Sequence, residues 1–441
     1  MLQSLSSRER LENRLSDRKA PVLRDGTSLG SLIDFDKHEV SIRLLNDAEI
    51  HDLELRRVFA RAWIIVGHCN EIPNAGDYVV RYIGEDQVIV SRGKDGKVRL
   101  FLNACTHRGM ELCRAEEGHA TLFRCPYHGW TFNGEGRLMG APYEQEMYGE
   151  WDKSQYSLRR AHVAVRHDVI FGSFAESPVS LEDWLGEFGW YFDEIYKGDM
   201  EVVPANLPRM QVQSNWKSPA EQSCGDGYHA PSLHRCLLEL GFSKPTDSKS
   251  WGMDSHDVSS LEGHGLRVAE YAHAVYHAAE EPEPFPVGWL VLGAMFPGVN
   301  VGGNAARGGR QNGLAPMDPQ GEVVRSAFLG GITPRGPTAY SSWRLQLIER
   351  DAPEKAKAAL QSKVAESTIG ADDLTAWTSM QRTARGVVGR DLTLKYNALL
   401  GENRPDDWAG PALVHRGFSK DDNQWHFWLR WYEMMTHDEN A

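Results

Sequence analysis

The spacing of apolar residues changes character several times along the chain. Between Asp47 and Val66, the residues Ile50, Leu53, Val58, Phe59 and Trp63 recur at helical spacing, which predicts a helix over 47–66. From Gly76 the text changes to strands. Tyr78–Ile83, Val88–Ser91 and Val98–Leu102 are rich in β-branched and aromatic residues, with turns at Gly84-Glu85-Asp86 and Lys94-Asp95-Gly96. Short strands divided by such turns predict a small antiparallel β domain, ending near Val169–Phe174. After Leu181 the texture is mixed. Trp184–Tyr196 reads as an aromatic helix, Met210–Trp216 as a strand, and 220–240 as a helix interrupted by Pro231. Leu290–Met295 and Arg325–Ile332 read as strands, Asp351–Ser367 and Leu374–Val388 as helices. Pro353 falls in a first helical turn, where its missing N–H is harmless. Segment 244–286 has no clear period and 302–313 is rich in Gly, Asn and Arg, and both read as loops. Residues 1–35 read as polar, partly disordered or wrapped on the surface. The class expected is α+β: an all-β domain inserted in a larger domain with an antiparallel sheet and helices.

A chain of 441 residues with 41% hydrophobic content can bury a core in two or three domains. It contains no run of about 18 apolar residues, so no membrane span is expected, and the polar start offers no secretion signal. The expected location is therefore the cytoplasm. A net charge of −13 argues against a nucleic-acid partner, which needs a basic surface. Six cysteines in so long a chain are not a disulfide scaffold. Cys69, Cys113, Cys224 and Cys236 are expected to be reduced and mostly buried.

Candidate chemistry concentrates in two places. The first is Cys105-Thr106-His107-Arg108-Gly109 with Cys125-Pro126-Tyr127-His128-Gly129-Trp130. Two thiolates and two imidazoles on two loops can hold a [2Fe–2S] cluster with Cys₂ on one iron and His₂ on the other. A Cys₂His₂ zinc site uses the same ligand types, but zinc fingers usually place Cys with Cys and His with His. Here each pair is mixed. On these blocks the chain resembles the Rieske non-haem iron ring-hydroxylating oxygenases, in their large (α) subunit. The blocks alone do not separate oxygenases from Rieske ferredoxins.

The second place is Glu221 to His234. His229 and His234 stand five apart, which on an ideal helix leaves them roughly 140° out of line. Pro231 is expected to break the helix and let both imidazoles converge. Two His and one carboxylate on one face of an iron leave positions open for O₂ and substrate. A pair of ordinary hydrogen-bonded histidines is the plainer alternative. The spacing Asp226-x₂-His229-x₄-His234, with Asn215-Trp216-Lys217 ahead of Glu221, is similar to the family pattern. The resemblance implies that His229 and His234 bind iron. It makes Asp226 a bridging carboxylate towards a cluster histidine of the neighbouring subunit, the part His128 would play. Asp226 is expected one helical turn before His229, on the same face, able to fix its tautomer. Ile369-Gly370-Ala371-Asp372-Asp373 resembles the family's acidic pair. By alignment Asp373 is the third ligand, and Asp372 a helix N-terminal charge or a group supporting the ligands. Gln222 stands where the family often has Asn.

The resemblance spans roughly 40–400 and implies a Rieske domain at 57–175 and a catalytic mononuclear iron domain from 1–56 and 176–441. It implies a terminal oxygenase that adds both atoms of O₂ to an aromatic ring, giving a cis-dihydrodiol. NAD(P)H electrons would arrive through separate ferredoxin and reductase proteins. The likeness points to subunits acting on aromatic and polycyclic aromatic hydrocarbons, assembled as trimers or with a small β subunit as α₃β₃. Gln222, Ser223, Gly227, Ala230, Leu233 and Ile369 are the candidate pocket residues. A Rieske monooxygenase acting on an aromatic acid stands as the alternative. A buried Arg or Lys would mark it, but sequence does not place Arg235 or Arg307. A bare electron carrier is a third class, against which His229, His234 and Asp373 argue.

Overall fold

The computed structural model describes residues 7–203, 209–235, 239, 255–270, 289–304, 324–364, 371–399, 401–406, 408–417 and 421–437. Two compact units emerge: Phe59–Leu181, and Met1–Val58 together with Glu182–Ala441.

The Phe59–Leu181 unit is built on antiparallel strands. A seven-stranded sheet runs Ile64–His68, Val169–Ser173, Arg160–Arg166, Val98–Leu102, Asp86–Arg92, Asp77–Ile83, Glu117–His119. A three-stranded sheet of Leu138–Gly140, Thr131–Asn133 and Leu122–Arg124 lies in the same unit. Phe101, Phe123, Trp130, Phe132 and Leu138 share one core with Cys105 and Cys125. The helix expected over 47–66 stops early. Asp47 caps Ala48–Glu54 by accepting the N–H groups of Glu49 and Ile50, and a wide turn follows over Leu55–Phe59. Ile64, Ile65 and Val66 instead open the sheet, buried throughout. A continuous β-branched run suits a strand buried on both faces better than a helix.

The other unit carries a nine-stranded antiparallel sheet. Its path is Met200–Val202, Tyr340–Glu349, Ser326–Pro334, Val299–Asn304, Trp289–Met295, Gly265–Glu270, Ser255–Ser259, Leu413–Arg416, with Met210–Val212 also on Tyr340–Glu349. Ser255–Ser259 and Gly265–Glu270 fall within the stretch expected to be loop. In Ser255–Ser259 the polar Asp257 and Ser259 are buried along with Val258, at 2%, 0% and 1% exposure, so this strand shows no apolar alternation. Residues 302–304, also read as loop, end the Val299–Asn304 strand, and 305–313 lie outside the described residues.

Other expectations are corrected too. Trp184–Tyr196 is two helices, Leu181–Leu185 and Phe188–Tyr196, parted at Gly186, whose φ is +51°. The strand at Met210 ends at Val212, and Trp216 precedes the helix Lys217–Ser223. Ser7–Ser16 is a helix that buries Leu11 and Leu15 against Asp422–Met435, rather than a disordered segment. The helices Glu354–Val364 and Ala371–Arg385 lie where helices were expected.

One buried knot ties helices together. The Lys217 ammonium lies 2.6 Å from Glu54 Oε1, both side chains fully buried. The indole N–H groups of Trp216 and Trp431 donate to the same carboxylate at 2.8 Å each. A buried carboxylate is tolerable only when its lone pairs are taken, and here a cation and two indoles take them. This fixes the start of Lys217–Ser223, the helix that leads into the second constellation.

Candidate metal centres

The first constellation sits on two loops with the same backbone bonding. Cys105 N–H donates to Met110 O and Gly109 N–H to Cys105 O, both at 2.8 Å. Cys125 N–H donates to Trp130 O at 2.7 Å and Gly129 N–H to Cys125 O at 3.0 Å. Gly109 and Gly129 have φ of +75° and +74°, a conformation that favours glycine. The glycine four residues after each cysteine was the sequence signal for this pairing.

The loops bring four side chains together. The His107 and His128 rings lie 4.7 Å apart, and Trp130 stacks on His107 at 4.8 Å and 8°. Cys105 and Cys125 are each 2% exposed. Burial first, and then the adjacent Cys125 thiol, push the Cys105 thiol up to about 11. Burial, reinforced by His128 and Arg108, lowers His107, so its ring stays neutral as a ligand must be. Nδ1 of both histidines is buried with no hydrogen-bond partner. Such atoms carry a desolvation cost unless something completes them, and the donor set of two sulfurs and two imidazoles fits a mixed-ligand [2Fe–2S] cluster.

The second constellation is built differently from the expectation. Residues 224–229 are a turn, and the helix Ala230–Leu233 begins only after His229, whose carbonyl accepts the N–H groups of Ser232 and Leu233. Pro231 therefore lies in a first turn, where it removes no helical bond, and interrupts nothing. The imidazoles converge because His229 precedes this short helix and His234 follows it. Asp226 is likewise in the turn and not on a helix face. Its Oδ1 accepts the Tyr228 N–H at 2.8 Å, and its Oδ2 lies 3.1 Å from His229 Nδ1. Asn423 braces the turn by donating to Cys224 O at 2.7 Å and Leu266 O at 2.9 Å.

His229, His234 and Asp373 each offer one ligand atom, all within 4.8 Å of one another. The two Nε2 atoms are 3.0 Å apart, and Asp373 Oδ1 is 3.7 Å from His229 Nε2. Ligand atoms about 2 Å from a metal and at right angles to it lie about 3 Å apart, so the set fits one ion on one face. Of the remaining imidazole nitrogens, His234 Nδ1 is hydrogen-bonded to Asp372 Oδ2 at 2.8 Å, while His229 Nδ1 lies within ion-pair distance of Asp226 Oδ2, at 3.1 Å, without hydrogen-bond alignment. Asp372 thus holds His234 from the first turn of Ala371–Arg385. Gln222 Nε2 donates to Asp373 Oδ1 at 2.8 Å, while Gln222 Oε1 accepts the Trp377 indole N–H at 2.7 Å. Trp377, Asn423 and Glu54 were missed in the sequence; an indole or amide within a helix gives no local sign of its distant partner.

Charge is arranged around this set. Burial raises the Asp226 carboxyl, but the His229 ring and the Tyr228 and His229 N–H groups outweigh it and hold it below the ordinary value. Burial lowers His229, but Asp226 and then Asp373 outweigh it, so the ring lies above its usual 6.5. Burial and then Asp226 push Glu221 well up, with the Tyr396 hydroxyl donating to it at 3.2 Å.

Of the other pocket candidates, Ser223 closes its helix and Leu233 is half-buried. Beside Gly227 lies the Arg267 guanidinium, whose Nη1 a Cβ at 227 would meet at 2.0 Å. The Ala230 side chain, Ile369, Cys236 and Arg307 lie outside the described residues, and Arg235 pairs with Glu239 at the surface. Cys69, Cys113 and Cys224 are buried and free. Among the described residues, no helix is long and apolar enough to cross a membrane.

The family model of the Rieske [2Fe-2S] domain matches residues 62–157. The chain is 30% identical over 428 residues to the benzene 1,2-dioxygenase α subunit of Pseudomonas putida, covering 91% of this chain and 92% of that one. It is 33% identical over 387 residues to the large oxygenase component of the naphthalene 1,2-dioxygenase system of Pseudomonas aeruginosa, covering 83% and 85%. Among solved structures, naphthalene 1,2-dioxygenase from Rhodococcus sp. superposes with a TM-score of 0.79 at 32% identity, covering 91% and 95%. A quaternary ammonium Rieske monooxygenase shares the fold at a TM-score of 0.64 and 18% identity. These likenesses run across both units, and the chain belongs to the Rieske non-haem iron aromatic ring-hydroxylating dioxygenases, as one of their large (α) subunits.

Proposed function

We propose that Cys105, His107, Cys125 and His128 hold the [2Fe–2S] cluster, that His229, His234 and Asp373 hold the mononuclear iron, and that Asp226 links His229 to the cluster side of a neighbouring subunit. When bound, these groups supply electrons and a ferrous centre at which both atoms of O₂ are added to an aromatic ring, giving a cis-dihydrodiol. The observation that carries the reading is the second constellation: three ligand atoms within 4.8 Å, each imidazole held from behind by its own aspartate.

The roles of the protein groups follow from their contacts. Asp226 and Asp372 fix the tautomers of His229 and His234, leaving each Nε2 free to ligate. Gln222 holds Asp373 by one oxygen. Asp226, Oδ1 on two backbone N–H groups, keeps its negative charge beside His229 and can accept a proton-bearing nitrogen from a second protein. A head-to-tail ring of subunits would place a cluster histidine there. The chain acts in this reading with a ferredoxin and an NAD(P)H-dependent reductase, beside a small β subunit in an α₃β₃ assembly, in the cytoplasm. Its substrate is an aromatic ring, as the names of the benzene and naphthalene relatives suggest.

Product analysis under ¹⁸O₂ over a panel of arenes and aromatic acids tests this. A cis-diol carrying two labelled atoms is the expected product. A phenol with one labelled atom would replace the reading with monooxygenation.

A further inference from the structure

The Phe59–Leu181 unit contains a hollow of about 340 Å³, lined from both of its sheets. Strand register accounts for its position. Val80, Ile89 and Phe101 stand opposite one another in the seven-stranded sheet, and so do Tyr78, Ser91 and Arg99. Alternate residues of a strand share a face, so both rows look the same way. The first row lies in the core that holds Cys105 and Cys125. In the second, Tyr78 meets Phe123 of the three-stranded sheet edge-on, with ring centroids 6.0 Å apart. The hollow lies beside this contact, for Ser91, Arg99 and Phe123 all line it.

Its walls differ in chemistry. One is apolar: Phe123 is buried, and Leu122 and Met139 are each 53% exposed at the rim. The other is polar. Ser91 is 3% exposed, and its hydroxyl is buried with no hydrogen-bond partner. Such a group costs about 1–3 kcal/mol unless something completes it. Arg99 is neutralised by Asp95, whose two oxygens accept its N–H groups at 2.7 and 2.9 Å. Glu135, the other acid of the lining, pairs with Arg137 at 3.1 Å. Lys94 is exposed beside them and has no carboxylate partner among the described residues. A cation and an unpartnered hydroxyl thus face an apolar wall.

Ligand pockets span about 300–1,000 Å³, so this one has room for a single ring and not for a dinucleotide. A thioether and an aromatic beside a leucine suit a flat ring. An ammonium and a free hydroxyl suit a carboxylate carried on it. We propose that the hollow binds a single-ring aromatic carboxylate, its ring against Leu122, Phe123 and Met139 and its anion on Ser91 Oγ and Lys94 Nζ. The site belongs to the cluster unit and not to the unit of His229, His234 and Asp373. Two strands that wall it, Leu122–Arg124 and Thr131–Asn133, flank the loop of Cys125 and His128. A ligand here therefore bears on the backbone that carries two of the cluster's four side chains.

The probes are 4-bromobenzoate and its uncharged match, 4-bromobenzyl alcohol, titrated by calorimetry into the fully loaded holoenzyme. Crystals soaked in the acid locate bromine by anomalous diffraction. The acid should bind at least about 10-fold more tightly than the alcohol, a hydrogen bond to a charge being worth that much. Its bromine should lie between Leu122 and Met139. Ser91→Ala removes a hydroxyl that bonds nothing within the chain, so the thermal midpoint should not fall, while affinity for the acid should drop by about 10- to 150-fold. Lys94→Gln, at an exposed cation, should cost about 1.5- to 5-fold. Acid binding that Ser91→Ala leaves within twofold of the parent belongs elsewhere and overturns the assignment. Equal affinity for acid and alcohol overturns it too, as does bromine in the hollow of the crystal without binding in solution.

Discussion

Gln222 is the side chain through which the metal set is most open to graded perturbation. It is clamped at both ends, donating to Asp373 Oδ1 at 2.8 Å and accepting from Trp377 at 2.7 Å. Gln222→Leu keeps the bulk and removes these bonds together with the 3.3 Å contact of the Gln222 amide nitrogen with His229 Nε2. The bond to Asp373 involves a charged acceptor and is worth about 1.5–3 kcal/mol. Removing a group that orients a metal ligand typically costs 10–100-fold in metal affinity, about 1.4–2.7 kcal/mol, which agrees with that single bond. Trp377 is 3% exposed, so its N–H is left unpaired at a further cost of about 1–3 kcal/mol to the fold. The assay is anaerobic competition for Fe(II) against a chromophoric chelator, with the cluster spectrum as an internal control. Gln222→Leu should bind Fe(II) 10–100-fold more weakly. Gln222→Asn, shorter by a methylene, should lie between. Fe(II) affinity within twofold of the parent in Gln222→Leu would show that Gln222 does not orient Asp373.

Three other outcomes follow from named contacts. Lys217→Met leaves the Glu54 carboxylate buried without its cation and should destabilise the unit by about 3–5 kcal/mol in denaturant titration, while adding Glu54→Gln should recover part of the loss; an unchanged midpoint for the single variant contradicts the account of the knot. His229 lies above 6.5 because of Asp226 and Asp373, so protons compete with the metal from a higher pH than at an ordinary histidine, and Fe(II) affinity should fall as pH drops through that raised value. In Asp226→Asn the midpoint of this fall should move to lower pH, and a midpoint that stays or rises refutes the pairing. Gly136→Ala forces a side chain onto φ +77° with its Cβ 2.5 Å from the Phe101 ring, and should lower the stability of the Phe59–Leu181 unit by about 2–5 kcal/mol, read as earlier thermal bleaching of the cluster; an unshifted bleaching curve would contradict the packing.

How much was legible in the sequence depended on how local the cause was. The strand Val98–Leu102 was read with its observed bounds because turn residues flank it and its neighbours. Both Cys-and-His loops were legible as chemistry because ligand and glycine lie within six residues of each other. His229, His234 and Asp373 were found by pattern, yet the reason for their convergence was misread. Helical geometry suggested a broken helix, whereas a turn braced by Asn423, nearly 200 residues away, sets His229 ahead of a four-residue helix. Ser255–Ser259 escaped because buried Asp257 and Ser259, on either side of buried Val258, leave no apolar alternation. The Arg267 guanidinium that lies against Gly227 left no sign in the sequence. What sequence could not supply was the partner of a polar group on a distant element: Glu54 for Lys217 and Trp377 for Gln222.

Asp373→Ala, analysed for iron, acid-labile sulfide and visible spectrum beside the parent, tests the assignment of the two centres most directly. The prediction is loss of a single iron per chain, unchanged sulfide, an intact mixed-ligand cluster spectrum and no oxygen incorporation into substrate. Full retention of iron, or loss of the cluster with it, would contradict the placement of a separate ferrous site on His229, His234 and Asp373.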